Sequence, residues 1–379
     1  MSEAERLHRH LIDQQGSRRS LNTPALVLDL DMLDRNIAEM ASFAQAHKVN
    51  LRPHSKTHKS TTIANMQIAA GAIGVCCQKV SEAEIMVDGG VSNVFISNEV
   101  AGKVKIDRVA ALARRARVSV CVDDPGNVQE LAAAAAKFGS TIHVLVELNV
   151  GGNRCGVETA EEAARLAAAI SNRSTLRFAG IQAYHGVAQH LRKFEDRRSA
   201  IEGAVKKVSE AISMIRRNGL ECDVIAGAGT GTFEFEITSG IYNELQVGSY
   251  VFMDVDYGRN NDRSGKPVSD FENALFILTT VMSYPVAKRA VVDAGLKALS
   301  VDSGMPRVIG YDDVSYVIAS DEHGRLEITS DERPFKLGDK IRLVPGHCDP
   351  TVNLHDWFVC IRNSHVESLW PVSARGAVF

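Results

Sequence analysis

The chain has 379 residues, 45% of them hydrophobic and 23% charged, with a formal net charge of −3. That is the composition of a globular protein with material for a sizeable core, and the even spread of 43 basic among 46 acidic residues removes the footprint of a nucleic-acid binder. No apolar run approaches the ~18 residues of a membrane span, and the charged opening MSEAERLHRHLIDQQGSRRS lacks the apolar segment of a signal peptide, so a cytoplasmic protein with no membrane partner is expected.

Seven cysteines (76, 77, 121, 155, 222, 348 and 360) form no C-x-x-C pair, which disfavours a disulfide framework or a cysteine-rich zinc site and leaves most of them as buried thiols. In chain order, TPALVLDL (23–30) reads as a strand, followed by a helix over 31–47. Eight apolar runs then alternate with helical patterns: VNLRPH (49–54), IGVCCQ (73–78), NVFISN (93–98), RVSVCV (117–122), IHVLVELNV (142–150), FAGIQAY (178–184), CDVIAG (222–227) and ELQVGSY (244–250). Amphipathic stretches between them cover 99–116, 127–139, 159–171 and 196–219, with apolar residues recurring three and four apart. The expected fold is an α/β (β/α)8 TIM barrel, although a doubly wound open sheet has the same local signature. Beyond about residue 270 the runs become β-rich and no helix intervenes (273–283, 289–295, 314–320, 339–345, 357–363 and 365–372). The expected organisation is therefore a barrel over 24–270 and a smaller all-β domain over 271–379 with residues 1–23. TPALVLDL is a candidate to join the second unit.

In a barrel the chemistry sits at the C-terminal ends of the strands, and polar residues gather there. Strand one ends in HSKTHK, strand two in Gln78, strand three in Asn98, strand five in GGNRCG (151–156) and strand six in Tyr184 and His185. GAGTGT (227–232) after strand seven and Gly248-Ser249 after strand eight supply the two loops of a common barrel phosphate site, where small residues admit an anion to backbone N–H groups. With no Walker lysine and no acid at Rossmann spacing, a small phosphorylated ligand fits better than a nucleotide. Phosphate loops opposite a strand-one lysine form the layout of a pyridoxal phosphate site, with Lys56 and Lys59 both available. In GHCDP (346–350) an extended chain would turn His347 and Asp349 to one side and Cys348 to the other, giving two ligands for one ion.

The stretches RPHSKTHKS, GVCCQKVSEAE, NRCGV, GIQAYHG, GAGTGT, ELQVGSY, VDAGLK, SDEHG, GHCDPTVNLHDW and WPVSARG resemble, in order and over nearly the whole chain, the D-threonine aldolases. These group with 3-hydroxy-D-aspartate aldolases and D-serine dehydratases among the alanine-racemase-like, fold type III pyridoxal phosphate enzymes. The resemblance implies pyridoxal 5'-phosphate, with Lys59 matching the Schiff-base lysine and Lys56 in support. Arg154 matches an arginine at the cofactor's phenolic oxygen, and Gln78 and Tyr184 match residues lining its ring. Gly229, Thr230, Gly231, Gly248, Ser249 and Tyr250 match the phosphate cradle, with AGAG standing where relatives often have GGG.

The resemblance also implies a divalent ion held by His347 and Asp349, a donor pair suited to Mn²⁺, Co²⁺ or Mg²⁺, whereas dehydratases tend to carry cysteine in the second position. His190 matches the base, with His185 and His58 as rivals. The implied reaction is retro-aldol cleavage of D-threonine and related D-β-hydroxy amino acids to glycine and an aldehyde, by a homodimer. GIYNELQVGSY and VDAGLKALSVDSG read at least as much like 3-hydroxy-D-aspartate aldolases releasing glyoxylate. A β-carboxylate needs a further cation, from Arg259, Arg307 or His323. A dehydratase, a non-catalytic cofactor carrier and a racemase are the competing readings. The carboxylate at 349, the metal motif and the lack of a matching second base count against them in turn.

Overall fold

The computed structural model describes residues 3–379. After α1 (Glu3–His8) the chain enters β1 (Ala25–Asp29) and α2 (Leu30–His47), where the Asp29 carboxylate accepts the Met32 N–H and caps the helix. The strand–helix repeat follows: β2 (Asn50–Leu51), α3 (Thr61–Ala69), β3 (Val75–Cys77), α4 (Val80–Asp88), β4 (Asn93–Glu99), α5 (Lys103–Leu112), β5 (Arg117–Val122), α6 (Pro125–Phe138) and β6 (Ile142–Glu147). It continues through α7 (Ala160–Ser171), β7 (Leu176–Gln182), α8 (Phe194–Arg217), β8 (Val224–Gly227), α9 (Phe233–Thr238) and β9 (Glu244–Leu245). The local chemistry is that of good helix starts. Asp124 caps α6 ahead of Pro125, and Thr159 with Glu162 closes a capping box on α7.

All eight strands pair in parallel in the order β2-β9-β8-β7-β6-β5-β4-β3. Closure runs through His54, which bridges Cys76, and through the Cys76 N–H on the Pro53 carbonyl at 2.8 Å. The first strand, expected over 49–54, is regular only at Asn50–Leu51 because Pro53 has no N–H to give its neighbour, while the Arg52 and His54 N–H groups still reach Leu245 and Val247. Inward-facing residues alternate along each strand. Cys76, Phe95, Cys121, Leu145 and Ala226 fill the interior, and Arg52 and Glu244 meet there in a buried ion pair at 2.8 Å, with Asn93 Oδ1 accepting from the same guanidinium at 2.7 Å.

The second unit comprises β10 (Leu275–Val286), β11 (Arg289–Val292), β12 (Arg307–Val308), β13 (Val314–Ala319), β14 (Gly324–Ile328), β15 (Lys340–Val344), α10 (Cys348–Val352), β16 (Trp357–Arg362) and β17 (His365–Pro371). Its nine-stranded sheet includes β1, which runs antiparallel to β10 and parallel to β16. The continuous apolar run of β1 is buried on both faces, Leu26 and Leu28 in one core cluster and Ala25 and Val27 in another, while its edges pair with β10 and β16, so residues 25–29 belong with this sheet by hydrogen bonding although their number falls inside 24–270. One short helix, α10, interrupts what reads as an all-β segment. All seven cysteines are free, and among the described residues no helix is long and apolar enough to cross a membrane.

Removing one partner of the Arg52–Glu244 pair strands a buried charge. Glu244→Ala should therefore cost about 3–5 kcal/mol in urea unfolding, and the double change Arg52→Met with Glu244→Leu should recover most of it. A single-variant loss below about 1 kcal/mol would mean the pair behaves like a solvated one and does not hold the barrel closed.

Candidate active site

Two residues further along, the same strand faces turn wholly polar. His54, Gln78, Ser97, Glu147, Gln182 and Gln246 follow Arg52, Cys76, Phe95, Leu145, Gly180 and Glu244 at a spacing of two and form the floor of a cleft of about 410 Å³. His54 Nε2 lies 3.0 Å from the Gln78 amide and 3.2 Å from Ser97 Oγ, and Gln182 and Gln246 exchange amide hydrogen bonds at 2.8 Å. Burial, reinforced by the Lys56 charge, pushes the His54 imidazole well below its usual pKa.

The lysine in the cleft is Lys56. It sits in the 3-10 turn Ser55–Thr57, with 39% of its side chain exposed, and pairs directly with Asp349. Burial opposes its charge, but Asp349 overrides that and holds the ammonium above the usual lysine value. Lys59 is turned away. Its backbone is left-handed (φ 48°), and its Nζ donates to the Ala374 and Ala377 carbonyls at 3.3 and 3.4 Å, outside the cleft. Lys59, which the resemblance matches to the Schiff-base lysine, therefore lies outside the cleft and Lys56 inside it, because the end of the 3-10 turn sends the two side chains in different directions. His58 is also outside, with its Nδ1 accepting the Ser60 N–H at 3.0 Å and burial lowering its pKa to about 4.

Arg154 and Tyr184 line the cleft together, the guanidinium 5.7 Å from the tyrosine ring and 3.7 Å from Glu147. Burial, with Glu99 alongside, pushes the Glu147 carboxyl up to about 8. Across the cleft, Gly229, Thr230, Gly248 and Ser249 face in, and among the described residues their N–H groups have no acceptor. Four unsatisfied donors on two small-residue loops are what an anion requires. Gly248 must be glycine because a Cβ there would lie 2.8 Å from Thr57 Oγ1. Two expected cradle members are committed elsewhere. The Gly231 N–H goes to Gln189 Oε1 at 3.0 Å, and the Tyr250 N–H goes to Thr230 Oγ1 at 3.0 Å while its ring is fully buried against Phe271.

His347 and Asp349 do converge, by a different local structure from an extended chain. His347 caps α10, whose first turn brings Asp349 Oδ1 to 4.0 Å from His347 Nε2 and buries Cys348 completely, its thiol on the Met253 carbonyl. His347 Nδ1 lies 2.8 Å from Asp302, which leaves Nε2 free, and Asp349 Oδ1 is buried without a hydrogen-bond partner. A carboxylate behind a histidine facing an orphaned oxygen is the arrangement of a metal pair. Among the described residues no third histidine, cysteine or acid joins it. Burial opposes ionisation of Asp349, yet Lys56 and His347 bring its carboxyl down to about 2.

His190 also lines the cleft. It pairs through Nδ1 with Asp256, which Arg192 shares. Burial is outweighed by those two partners, and the Asp256 carboxyl falls to about 2. His185 is packed instead against Gly151, where a Cβ would meet its Nε2 at 2.6 Å. Sequence reasoning named Gln78 but passed over Ser97, Glu147, Gln182 and Gln246 of the floor, and Asp256 and Tyr257 beside it. The floor carries a legible signal, a polar residue two positions beyond the last apolar inward one. Asp256 carries none, since its partners come from a different loop.

The comparisons agree with this architecture. Residues 28–256 match the alanine racemase N-terminal domain family, and residues 274–361 match a putative serine dehydratase domain. The chain is 51% identical over 360 residues to a 3-hydroxy-D-aspartate aldolase of Paracoccus denitrificans, covering 94% of this chain and 92% of the relative. It is 45% identical to a D-threonine aldolase of an Arthrobacter species over 94% of this chain and 93% of that one. The crystal structure of D-threonine aldolase from Filomicrobium marinum superposes with a TM-score of 0.92 at 50% identity, covering 95% and 97% of the two chains. With a family match over more than half its length and relatives this similar across nearly all of it, the chain belongs to the alanine-racemase-like lyases that include the D-threonine and 3-hydroxy-D-aspartate aldolases.

Proposed function

We propose that this protein is a pyridoxal phosphate- and divalent-metal-dependent aldolase that cleaves D-β-hydroxy-α-amino acids to glycine and an aldehyde. The observation that carries the reading is the meeting of Lys56 with Asp349, which sets the cleft's one lysine beside a histidine–carboxylate pair having an unsatisfied oxygen. The residues fit both groups. Gly229, Thr230, Gly248 and Ser249 offer N–H donors for the phosphate, Arg154 and Tyr184 flank the ring's place, and His347 with Asp349 offers borderline-to-hard donors for Mn²⁺, Co²⁺ or Mg²⁺. When bound, the cofactor supplies a sink for the electron pair released at Cα and the ion supplies a Lewis acid to the β-oxygen.

The chain's own residues do the rest. Lys56, in place of Lys59, is the amine that holds the cofactor, and Asp349 sets its charge. Asp256 holds the proton of His190 on Nδ1, so Nε2 faces the cleft as an acceptor for the substrate hydroxyl proton. Asp349 counts against a dehydratase, since Cys348 is buried on the other side of α10. All of these residues come from one chain, so the expected homodimer would add to the cleft without supplying its metal pair.

For a substrate with a β-carboxylate, Arg259 is the favoured cation. It donates to the Ser303 carbonyl at 3.2 Å, and Ser303 Oγ lies 3.4 Å from His347, whereas Arg307 is engaged with Asn273 and His323 lies at the turn against Gly295. The names of the relatives at 51% and 48% identity support 3-hydroxy-D-aspartate as the second reading beside D-threonine.

Three measurements test this. Lys56→Ala should lose the cofactor that borohydride fixes to the chain, and Lys59→Ala should keep it; the reverse pattern returns the role to Lys59. Chelation, or His347→Ala, should abolish glycine formation from D-threonine while cofactor absorbance stays, and the chelated protein should recover when the ion is restored; full activity after exhaustive chelation would remove the metal from the mechanism. Arg259→Leu should lower kcat/KM for 3-hydroxy-D-aspartate by about tenfold or more, some 1.4 kcal/mol of transition-state binding, with D-threonine little changed. Release of 2-oxobutanoate from D-threonine in place of glycine would overturn the aldolase reading itself.

A further inference from the structure

One buried amide joins the phosphate loop to the histidine. Gln189 has no solvent exposure and lies on the 3-10 turn Val187–His190, immediately before His190. Its Oε1 accepts the Gly231 N–H at 3.0 Å, and its Nε2 donates to Thr232 Oγ1 at 2.7 Å and to the His185 carbonyl at 3.2 Å. Thr232 Oγ1 donates onward to Glu236 at 2.7 Å, which fixes the direction of the chain of bonds. The Gln189 carbonyl accepts from Asn260 Nδ2 at 2.8 Å. Asn260 Oδ1 accepts from Arg192, the residue that shares Asp256 with His190.

Space tells the same story. A Cβ on Gly229 would stand 2.4 Å from Gln189 Oε1, and one on Gly231 would stand 2.5 Å from the Gln189 carbonyl oxygen. Two glycines of GAGTGT therefore answer to Gln189, and only the N–H groups on the other side of the loop remain for an anion. Gln189 and His190 lie on the same 3-10 turn, so the loop that grips the Gln189 side chain also holds the turn that presents the histidine.

We propose that Gln189 is a positioning residue that couples the phosphate cradle to His190, so that seating a phosphate orders the group that accepts the substrate proton. This rests on the reading of the cleft as a pyridoxal phosphate site. Gln189→Leu keeps the volume and removes three side-chain hydrogen bonds. Titrated against the cofactor-stripped full chain, pyridoxal phosphate should bind about tenfold to a hundredfold more weakly, as expected for one or two lost buried hydrogen bonds. Pyridoxal, which lacks the phosphate, should bind as to the unmodified chain. At saturating cofactor, kcat should fall about tenfold, and the pH profile of kcat should move because the turn that carries His190 is no longer fixed against the loop.

Equal loss of affinity for both ligands, or a phosphate-selective loss with kcat and its pH profile unmoved, would overturn the coupling. Should Gln189→Leu not fold by circular dichroism, Thr232→Val breaks the same chain of bonds at its middle. It should give the same phosphate-selective weakening, and an unchanged affinity ratio would overturn the proposal. Failure of the unmodified chain to bind pyridoxal phosphate is a separate result, which would overturn the reading of the cleft and this inference with it.

Discussion

The ion pair between Lys56 and Asp349 is the interaction on which the site depends, because it joins the lysine of the barrel's cleft to the carboxylate that the nine-stranded unit brings there. Each group alone would be an uncompensated charge in a largely enclosed place, and each holds the other ionised. Burial works against both, yet Asp349 keeps the lysine above its usual pKa, and Lys56 with His347 keeps the carboxyl at about 2. The carboxylate contributes stability that is present above its unfolded value and lost as pH falls toward 2. The ammonium contributes stability that is present below its unfolded value and lost as pH rises past its raised folded value. The junction is therefore intact across the whole neutral range.

Besides the pairing of Arg362 on β16 with Asp31 and Asp34 of α2, two further ties hold the units in register. Lys59 carries one. Its Nζ caps the Ala374 and Ala377 carbonyls, its own carbonyl takes the Ala374 N–H at 2.9 Å, and both alanines are buried in the barrel's outer core. The left-handed backbone at Lys59 is the strain accepted to reach that segment. The other is β1, which starts in the nine-stranded sheet and passes straight into α2 on the way to the first barrel strand. The turn bearing Lys56 is thus fastened from the far end of the chain on one side and from α10 on the other.

Much of the fold is legible in sequence because it is local. Eight apolar runs alternating with amphipathic helices, capped by Asp124 and Thr159, specify strand and helix by period, and every expected barrel strand is present. Short-range chemistry also picked out Arg154, Tyr184 and Gln78 beside the cleft and the pair His347 and Asp349, even though a turn of helix and not an extended chain brings that pair together. The strands β12 and β14 and the helix α10 escaped because two- to five-residue elements carry too few repeats to show a period.

The sequence by itself determined the alternating architecture, the two small-residue loops and the presence of two lysines at the end of the first strand. The tertiary structure alone decided which lysine lines the cleft, which loop N–H groups remain free and where Asp256 finds its histidine. The reason is the range of the forces involved. Lys56 is aimed by a carboxylate 293 residues further along the chain, Lys59 by carbonyls at 374 and 377, and the Gly231 N–H is taken by Gln189 from another loop. In an irregular turn no periodicity fixes the direction of a side chain, so its distant partners do.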